Sequence, residues 1–216
     1  MSGVTEENSG GYDEGYRACG CFWGREPASL VRTLVQVVGL SRGSAVLDAG
    51  CGEGKNAAFL GGLGLTVRAV DISPAAITNA KRTWGELASV TWEVADVRHI
   101  VLAPAFFDVV IAYGLLHCLQ SETEIITTVV RLQEATALGG FHVICVFNDR
   151  AQDLRAHPGF RPTLAGHSIY LGLYDGWELL HASDRDLFET HPHNGIPHSH
   201  SLTRLLARKR ESHELP

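Results

Sequence analysis

The sequence has no excess of basic charge, no long apolar run, no even set of cysteines and few prolines, and each shortage removes a class of protein. Its 18 Lys and Arg stand against 24 Asp and Glu, a formal charge of −6, so no general cationic field is present to hold nucleic acid. The most apolar stretch, Phe106 to Leu116, is short of the ~20 mostly apolar residues that a membrane helix needs, and it carries Asp108. The opening Met1-Ser2-Gly3-Val4-Thr5-Glu6-Glu7 lacks the basic region and apolar core of a secretory signal. Cys19, Cys21, Cys51, Cys118 and Cys145 are odd in number and scattered, unlike a disulfide framework, so a reduced cytoplasmic setting is expected. Only 8 prolines, with 45% apolar and 19% charged residues, argue against disorder.

What remains suits one compact domain of 216 residues with a small-molecule partner, without nucleic acid or membrane, acting as a monomer or homodimer. Residues 1–15 are rich in Glu, Asp, Ser and Gly and poor in apolar side chains. The expected division is therefore a flexible segment 1–15, a single domain over 16–210 and a tail over 211–216.

Apolar residues Leu30, Val31, Leu34, Val35 and Val38 recur at helical spacing, with Pro27 suited to the first turn and Gly39 to the C-terminal cap. Short apolar runs ending at Leu47, Val70, Val94 and Ala112 alternate with helical patterns, and Ser73-Pro74 and Ser121-Glu122-Thr123-Glu124 supply N-terminal caps. The helix after Ser121 is expected to run to Gly139-Gly140, followed by a fifth strand over Phe141–Phe147. After a long connection, Leu202–Ala207 closes the set. This alternation implies an α/β fold with a mainly parallel sheet, helices on both faces, and ligands outside the carboxyl ends of the strands.

The loop after the first strand, Leu47-Asp48-Ala49-Gly50-Cys51-Gly52-Glu53-Gly54, follows neither of two familiar phosphate-binding patterns. A P-loop needs glycine where Ala49 stands and Ser or Thr where Asn56 stands; a dinucleotide loop starting at Gly50 needs Gly or Ala where Lys55 stands. The remaining pattern, an acid followed by Gly50, Gly52 and Gly54, suits a ligand pressed against the backbone without a pyrophosphate.

This motif closely resembles the first motif of class I S-adenosylmethionine-dependent methyltransferases. The resemblance implies a Rossmann-like fold with a seven-stranded sheet whose last strand is antiparallel, and S-adenosyl-L-methionine as cofactor. It further implies that Asp48 helps hold the cationic amino-acid end of the cofactor, that Asp71, with Ile72 beside it, accepts the ribose hydroxyls, and that Asp96 and Val97 meet the adenine. Tyr113 then lies by the transferable methyl group. No Asn/Asp-Pro-Pro-Tyr tetrad follows the fourth strand, where Ala112-Tyr113-Gly114-Leu115-Leu116-His117 stands, which disfavours a DNA base as acceptor. The nearer resemblance is to small bacterial tellurite-resistance-type methyltransferases, on the glycine motif, Gly139-Gly140, Tyr174-Asp175-Gly176-Trp177-Glu178 and Leu206-Ala207-Arg208-Lys209. It implies a small soft nucleophile (thiol, chalcogen oxyanion or small metabolite), with His191 as the counterpart of an assisting histidine.

The segment His191-Pro192-His193-Asn194-Gly195-Ile196-Pro197-His198-Ser199-His200 holds two H-x-H pairs around a turn. A four-residue turn sets His193 opposite His198 and His191 opposite His200, with all four rings on one face. Such imidazoles can bind zinc, iron or copper, deprotonate a thiol or hydroxyl, or simply face solvent, so no metal ligand is assigned here. The candidates are His191, His200 and His117 for catalysis, and Trp23, Arg25, His193 and His198 for substrate. Tyr16, Trp23 and Arg25 form a candidate lid, while Cys19-x-Cys21 reads as packing. The competing readings are an NAD(P)-dependent oxidoreductase, which shares the sheet and the Asp71 contact, and a non-catalytic S-adenosylmethionine-binding protein.

Overall fold

The computed structural model describes residues 12–85, 87–190 and 194–211. In chain order the elements are α1 (Asp13–Ala18), α2 (Ser29–Val37), β1 (Ala45–Ala49), α3 (Lys55–Gly62), β2 (Thr66–Asp71), α4 (Pro74–Trp84), β3 (Val90–Val94) and β4 (Phe107–Tyr113). A short 3₁₀ turn (Leu116–Cys118) precedes α5 (Glu122–Ala135), β5 (Thr136–Gln152), α6 (His167–Leu173), β6 (Glu178–Thr190) and β7 (Pro197–Arg208). The seven strands form one sheet in the order β3-β2-β1-β4-β5-β7-β6, parallel from β3 through β5, with β7 antiparallel to both neighbours. The expected α/β, Rossmann-like architecture is present.

Alternation along the strands divides the core in two. Leu47, Ala49, Val110, Ala112 and Ile144 face α5 and α6 and pack on Ile125, Val129, Leu132 and Tyr170. Val46, Val67, Ala69, Val109 and Ile111 face α2 and α3 and pack on Leu30, Val31, Leu34 and Leu60. A fully buried Leu or Ile contributes about 1.5–3 kcal/mol relative to exposure. Packing therefore outweighs the ~1 kcal/mol of a cap in fixing each helix. The Ser121 cap is nonetheless formed, its Oγ accepting from Glu124 N–H at 3.2 Å. Ser121→Ala is expected to lower stability by ~1 kcal/mol, measured as a shifted urea midpoint at unchanged slope.

Several boundaries differ from expectation. The helix predicted from Pro27 to Gly39 is α2, which starts at Ser29 after Ala28 and ends before Val38. α5 stops at Ala135 rather than Gly139, because Thr136 turns extended and pairs with Phe107. Thr136 Oγ1 donates to Leu132 O at 2.7 Å and so closes the last turn of the helix. The long connection contains α6 and the edge strand β6, and β7 begins five residues before Leu202, at Pro197. α1 takes in Asp13, Glu14 and Gly15, assigned to the flexible segment, and Asp13 is buried against Ser73.

The hairpin register also differs. β6 sets Glu189 opposite His198 and Leu187 opposite His200, so these partners are not His193 and His191. His191 and His193 lie outside the described residues. The period-two rule still holds for His198 and His200, which share one face.

Strand order reverses between β1 and β4, and the loops after those strands, at Gly50 and Gly114, open a crevice at the carboxyl edge. That is where an open α/β sheet binds its ligand.

Candidate functional site

A cavity of about 300 Å³ fills the crevice. Its floor is Gly50, Cys51, Gly52 and Glu53 after β1, Asp71 and Ile72 after β2, Asp96 and Val97 after β3, and Tyr113 after β4. Seven of the nine expected cofactor residues thus come together. The other two, Asp48 and Gly54, lie beneath the loop and do not line the cavity.

Gly54 opens α3 with φ +78°, and a Cβ there would stand 2.2 Å from the Trp92 ring. It lets that ring pack under the loop. Gly52 has φ +54°, and a Cβ on it would approach the Tyr16 hydroxyl to 3.0 Å, so its bare backbone keeps the floor open. Asp71 Oδ2 accepts from Gly52 N–H at 2.7 Å and Oδ1 from Ser73 N–H at 2.9 Å. Each oxygen retains a further lone pair, and Asp71 lines the cavity. Burial raises the Asp71 pKa, and the two backbone donors oppose that rise.

Asp96 departs from its expected part. Both its oxygens accept from Arg98, at 2.7 to 3.0 Å, and Arg98 also donates to Glu124. Burial opposes ionisation of Asp96, yet the Arg98 bonds outweigh it and hold the pKa below its ordinary value. An adenine amino group would have to compete with Arg98 for this carboxylate.

The N-terminal segment covers the cavity. Tyr12, Tyr16, Trp23 and Gly24 line it, whereas Arg25 is exposed and does not. The cover is fastened to the loop and to α4. Cys21 N–H donates to Glu53 Oε1 at 2.8 Å, Asn79 Nδ2 to Tyr16 O at 2.6 Å, and Lys55 Nζ to Trp23 O at 3.0 Å. Trp23 Nε1 donates to Tyr16 Oη at 3.2 Å. Cys21 Sγ sits 3.6 Å from Thr83 Oγ1, in accord with a packing role.

His117 lines the far wall, buried, stacked on Phe147 at 4.1 Å. Its Nδ1 accepts from Phe147 N–H at 3.2 Å, which places the ring proton on Nε2, 3.4 Å from Tyr12 Oη. Burial first, then His200 and His157, lower its pKa to about 3. With Nδ1 engaged and Nε2 protonated, His117 has no lone pair with which to abstract a proton, so it serves as a hydrogen-bond donor rather than a base. His198 and His200 are buried and stand with His157 and Glu189, two residues that sequence reasoning missed together with Tyr12. Glu189 lines the cavity.

Residues 46–140 match the family model of a methyltransferase domain. That segment, from β1 into β5, is a methyltransferase domain. The chain is 34% identical over 110 residues to the 2-heptyl-1-hydroxyquinolin-4(1H)-one methyltransferase of Mycobacteroides abscessus, covering 49% of this chain and 47% of that one. Among solved structures, a protein described as converting a disulfide bond into a thioacetal group during echinomycin biosynthesis is 26% identical, with a TM-score of 0.70 over 94% of this chain and 93% of its own. TehB from Haemophilus influenzae shares the fold at 20% identity and a TM-score of 0.70, over 85% of this chain and 62% of its own. The chain spans about half the length of the curated relatives it matches. The matched segment holds the glycine loop and Asp71, which favours a methyltransferase over the nicotinamide alternative.

The site fits the family's cofactor, S-adenosyl-L-methionine. Besides the glycine floor and the Asp71 acceptors, Glu53 lines the cavity and its Oε2 is a buried carboxylate oxygen without a hydrogen-bond partner among the described residues, as is Oδ2 of Asp48 beneath the loop. A cationic ligand is what two such oxygens beside one loop favour. Among the described residues no helix is long and apolar enough to cross a membrane.

Proposed function

We propose that this chain transfers a methyl group from S-adenosyl-L-methionine to a small soft nucleophile, with sulfur the first choice, and that it engages neither nucleic acid nor membrane. The observation that carries the reading is the covered cavity of about 300 Å³, near the small end of the usual range for ligand sites, whose far wall is aromatic. That space suits a cofactor together with the reacting end of a small acceptor. Tyr12 sits 5.1 Å from the Phe160 ring and 5.3 Å from that of Trp23, so the acceptor end is rimmed by rings that suit a polarizable atom. The relatives that act on a hydroxyquinolinone and on a disulfide support a small acceptor.

When bound, the sulfonium supplies an already activated methyl group. The chain's own work is therefore alignment and exclusion of water. Asp71 and the Gly50–Gly54 floor fix one partner, while Tyr12, held toward His117, and Trp23 close over the other. Incubating the protein with S-adenosylmethionine and thiols, selenite, tellurite, phenols or amines should release S-adenosylhomocysteine with at least one thiol or chalcogen acceptor. Cofactor binding without release across the panel would leave a non-catalytic binding protein. Trp23→Ala opens the cover and removes an aromatic neighbour of Tyr12; it is expected to raise the acceptor KM roughly 10-fold while the far-ultraviolet dichroism stays unchanged.

A further inference from the structure

Outside the cofactor floor, four side chains from three parts of the chain converge. β7 carries His198 and His200 on one face, β6 sets Glu189 opposite His198, and the turn after β5 delivers His157. His157 Nε2 lies 3.2 Å from His198 Nε2 and 3.3 Å from His200 Nε2, while Glu189 Oε1 lies 3.5 Å from the former's partner His198 Nε2 and 3.8 Å from His200 Nε2. All four donor atoms fall within 4.8 Å of one another. Tetrahedral ligands at zinc–nitrogen distances of ~2.0–2.1 Å stand ~3.3–3.4 Å apart, so the contacts of 3.2 to 3.8 Å lie near that spacing and small side-chain shifts would close the sphere.

The outer partners point the same way. His198 Nδ1 lies 2.8 Å from Ile196 O, a pure acceptor, so that nitrogen carries the proton. His200 Nδ1 lies 2.8 Å from Gln152 Oε1, and Gln152 is oriented by donating its amide to Asn148 O and Ser201 O. In the neutral rings both Nε2 lone pairs therefore face inward, toward each other and the Glu189 carboxylate. A proton on His157 Nε2 can bridge to one of these acceptors at a time, whereas a metal cation among the four atoms is met by all of them. A histidine whose second nitrogen donates to a carbonyl or amide oxygen is also the usual form of a metal ligand.

We propose that His157, His198, His200 and Glu189 form a binding site for one divalent transition metal of the class that takes imidazole and carboxylate together, with zinc as its probe. The site ties the turn after β5 to the β6–β7 hairpin, and it adjoins the acceptor end of the cavity. Phe147 is stacked between His200 and His117, at 4.1 Å from each, and Glu189 is shared by the cluster and the cavity wall. This inference goes beyond methyl transfer and stands without it.

The test uses the full chain, free of any affinity tag, stripped with a chelator and titrated with zinc against a chromophoric competitor. One equivalent should bind with micromolar or tighter affinity and raise the melting temperature. Cobalt(II) should give the intense visible bands of tetrahedral coordination. His198→Ala and Glu189→Gln should each weaken zinc binding at least ~100-fold, Gln152→Ala by ~10–100-fold, and His99→Ala, on the exposed surface, not at all. Binding that is absent, or unchanged in the ligand variants, overturns the site. Should His198→Ala fail to fold, Glu189→Gln and the cobalt spectrum of the unaltered protein decide. Cofactor calorimetry on the stripped protein keeps failure of this inference distinct from failure of the methyl-transfer reading.

Discussion

Asp71→Ala is expected to lower the affinity for S-adenosylmethionine at least ~100-fold. The carboxylate sits at the end of β2 on the cavity lining, with one lone pair of each oxygen taken by the Gly52 and Ser73 backbone donors and the other left for a ligand. A vicinal diol would take both, and hydrogen bonds to a charged acceptor contribute ~1.5–3 kcal/mol each, so losing the pair costs ~3 kcal/mol or more. Because the same substitution also frees Gly52 and Ser73, a loosened loop could imitate the effect. A 2′-deoxy analogue separates the two causes. The unaltered protein should discriminate against it by ~10-fold or more, and Asp71→Ala should not discriminate at all. Retained discrimination in the variant would show that Asp71 merely holds the loop, and unchanged affinity would remove it from the site.

The cofactor floor was legible because its parts are local. Asp48 to Gly54 is one continuous loop, and Asp71 and Asp96 each end a strand whose apolar run marks it. The acceptor end was not legible, for reasons that differ by residue. β6 is an edge strand with most of its side chains exposed, so it lacks the alternation that announces a half-buried strand. Without β6 no register could place Glu189 opposite His198, and a hairpin drawn from the H-x-H pairs alone came out four residues away. His157 lies in the turn after β5, with nothing in the local pattern to tie it to β7. Tyr12 sits among glycines and acids, yet it reaches the cavity because Asp13 docks on Ser73 and the cover is pinned by Glu53, Asn79 and Lys55. Asp48 is a different case: the motif picks the residue, and the fold places it under the loop rather than on the surface of the cavity.

That buried position makes Asp48 the source of the second large effect. It is 1% exposed and one carboxylate oxygen has no partner. Burial pushes its pKa up to about 7, with the Asp71 charge adding to the rise while the Ala57 N–H and Lys55 oppose it. The folded-state value thus exceeds the unfolded one of 3.8. Its contribution to stability is full below the unfolded pKa, declines as pH rises, and is gone above about 7. Three pH units correspond to ~4 kcal/mol at most. In Asp48→Asn that decline should vanish, so the stability of the variant relative to the unaltered protein rises between pH 4 and 7 by ~2–4 kcal/mol. The constant cost of burying the amide moves the offset and not the slope, so urea titrations across that range read the carboxyl alone. A pH-independent difference would show that Asp48 is not elevated. The same elevation shapes cofactor affinity, because a bound ammonium and sulfonium favour the ionised carboxyl across a short, low-dielectric gap. Affinity in the unaltered protein should therefore weaken from pH 8 to pH 6, with a proton released on binding at the lower pH. Asp48→Asn should bind more weakly at pH 8 and lose this pH dependence, while the Asp71 contacts stay intact; equal pH profiles in the two proteins would refute the coupling.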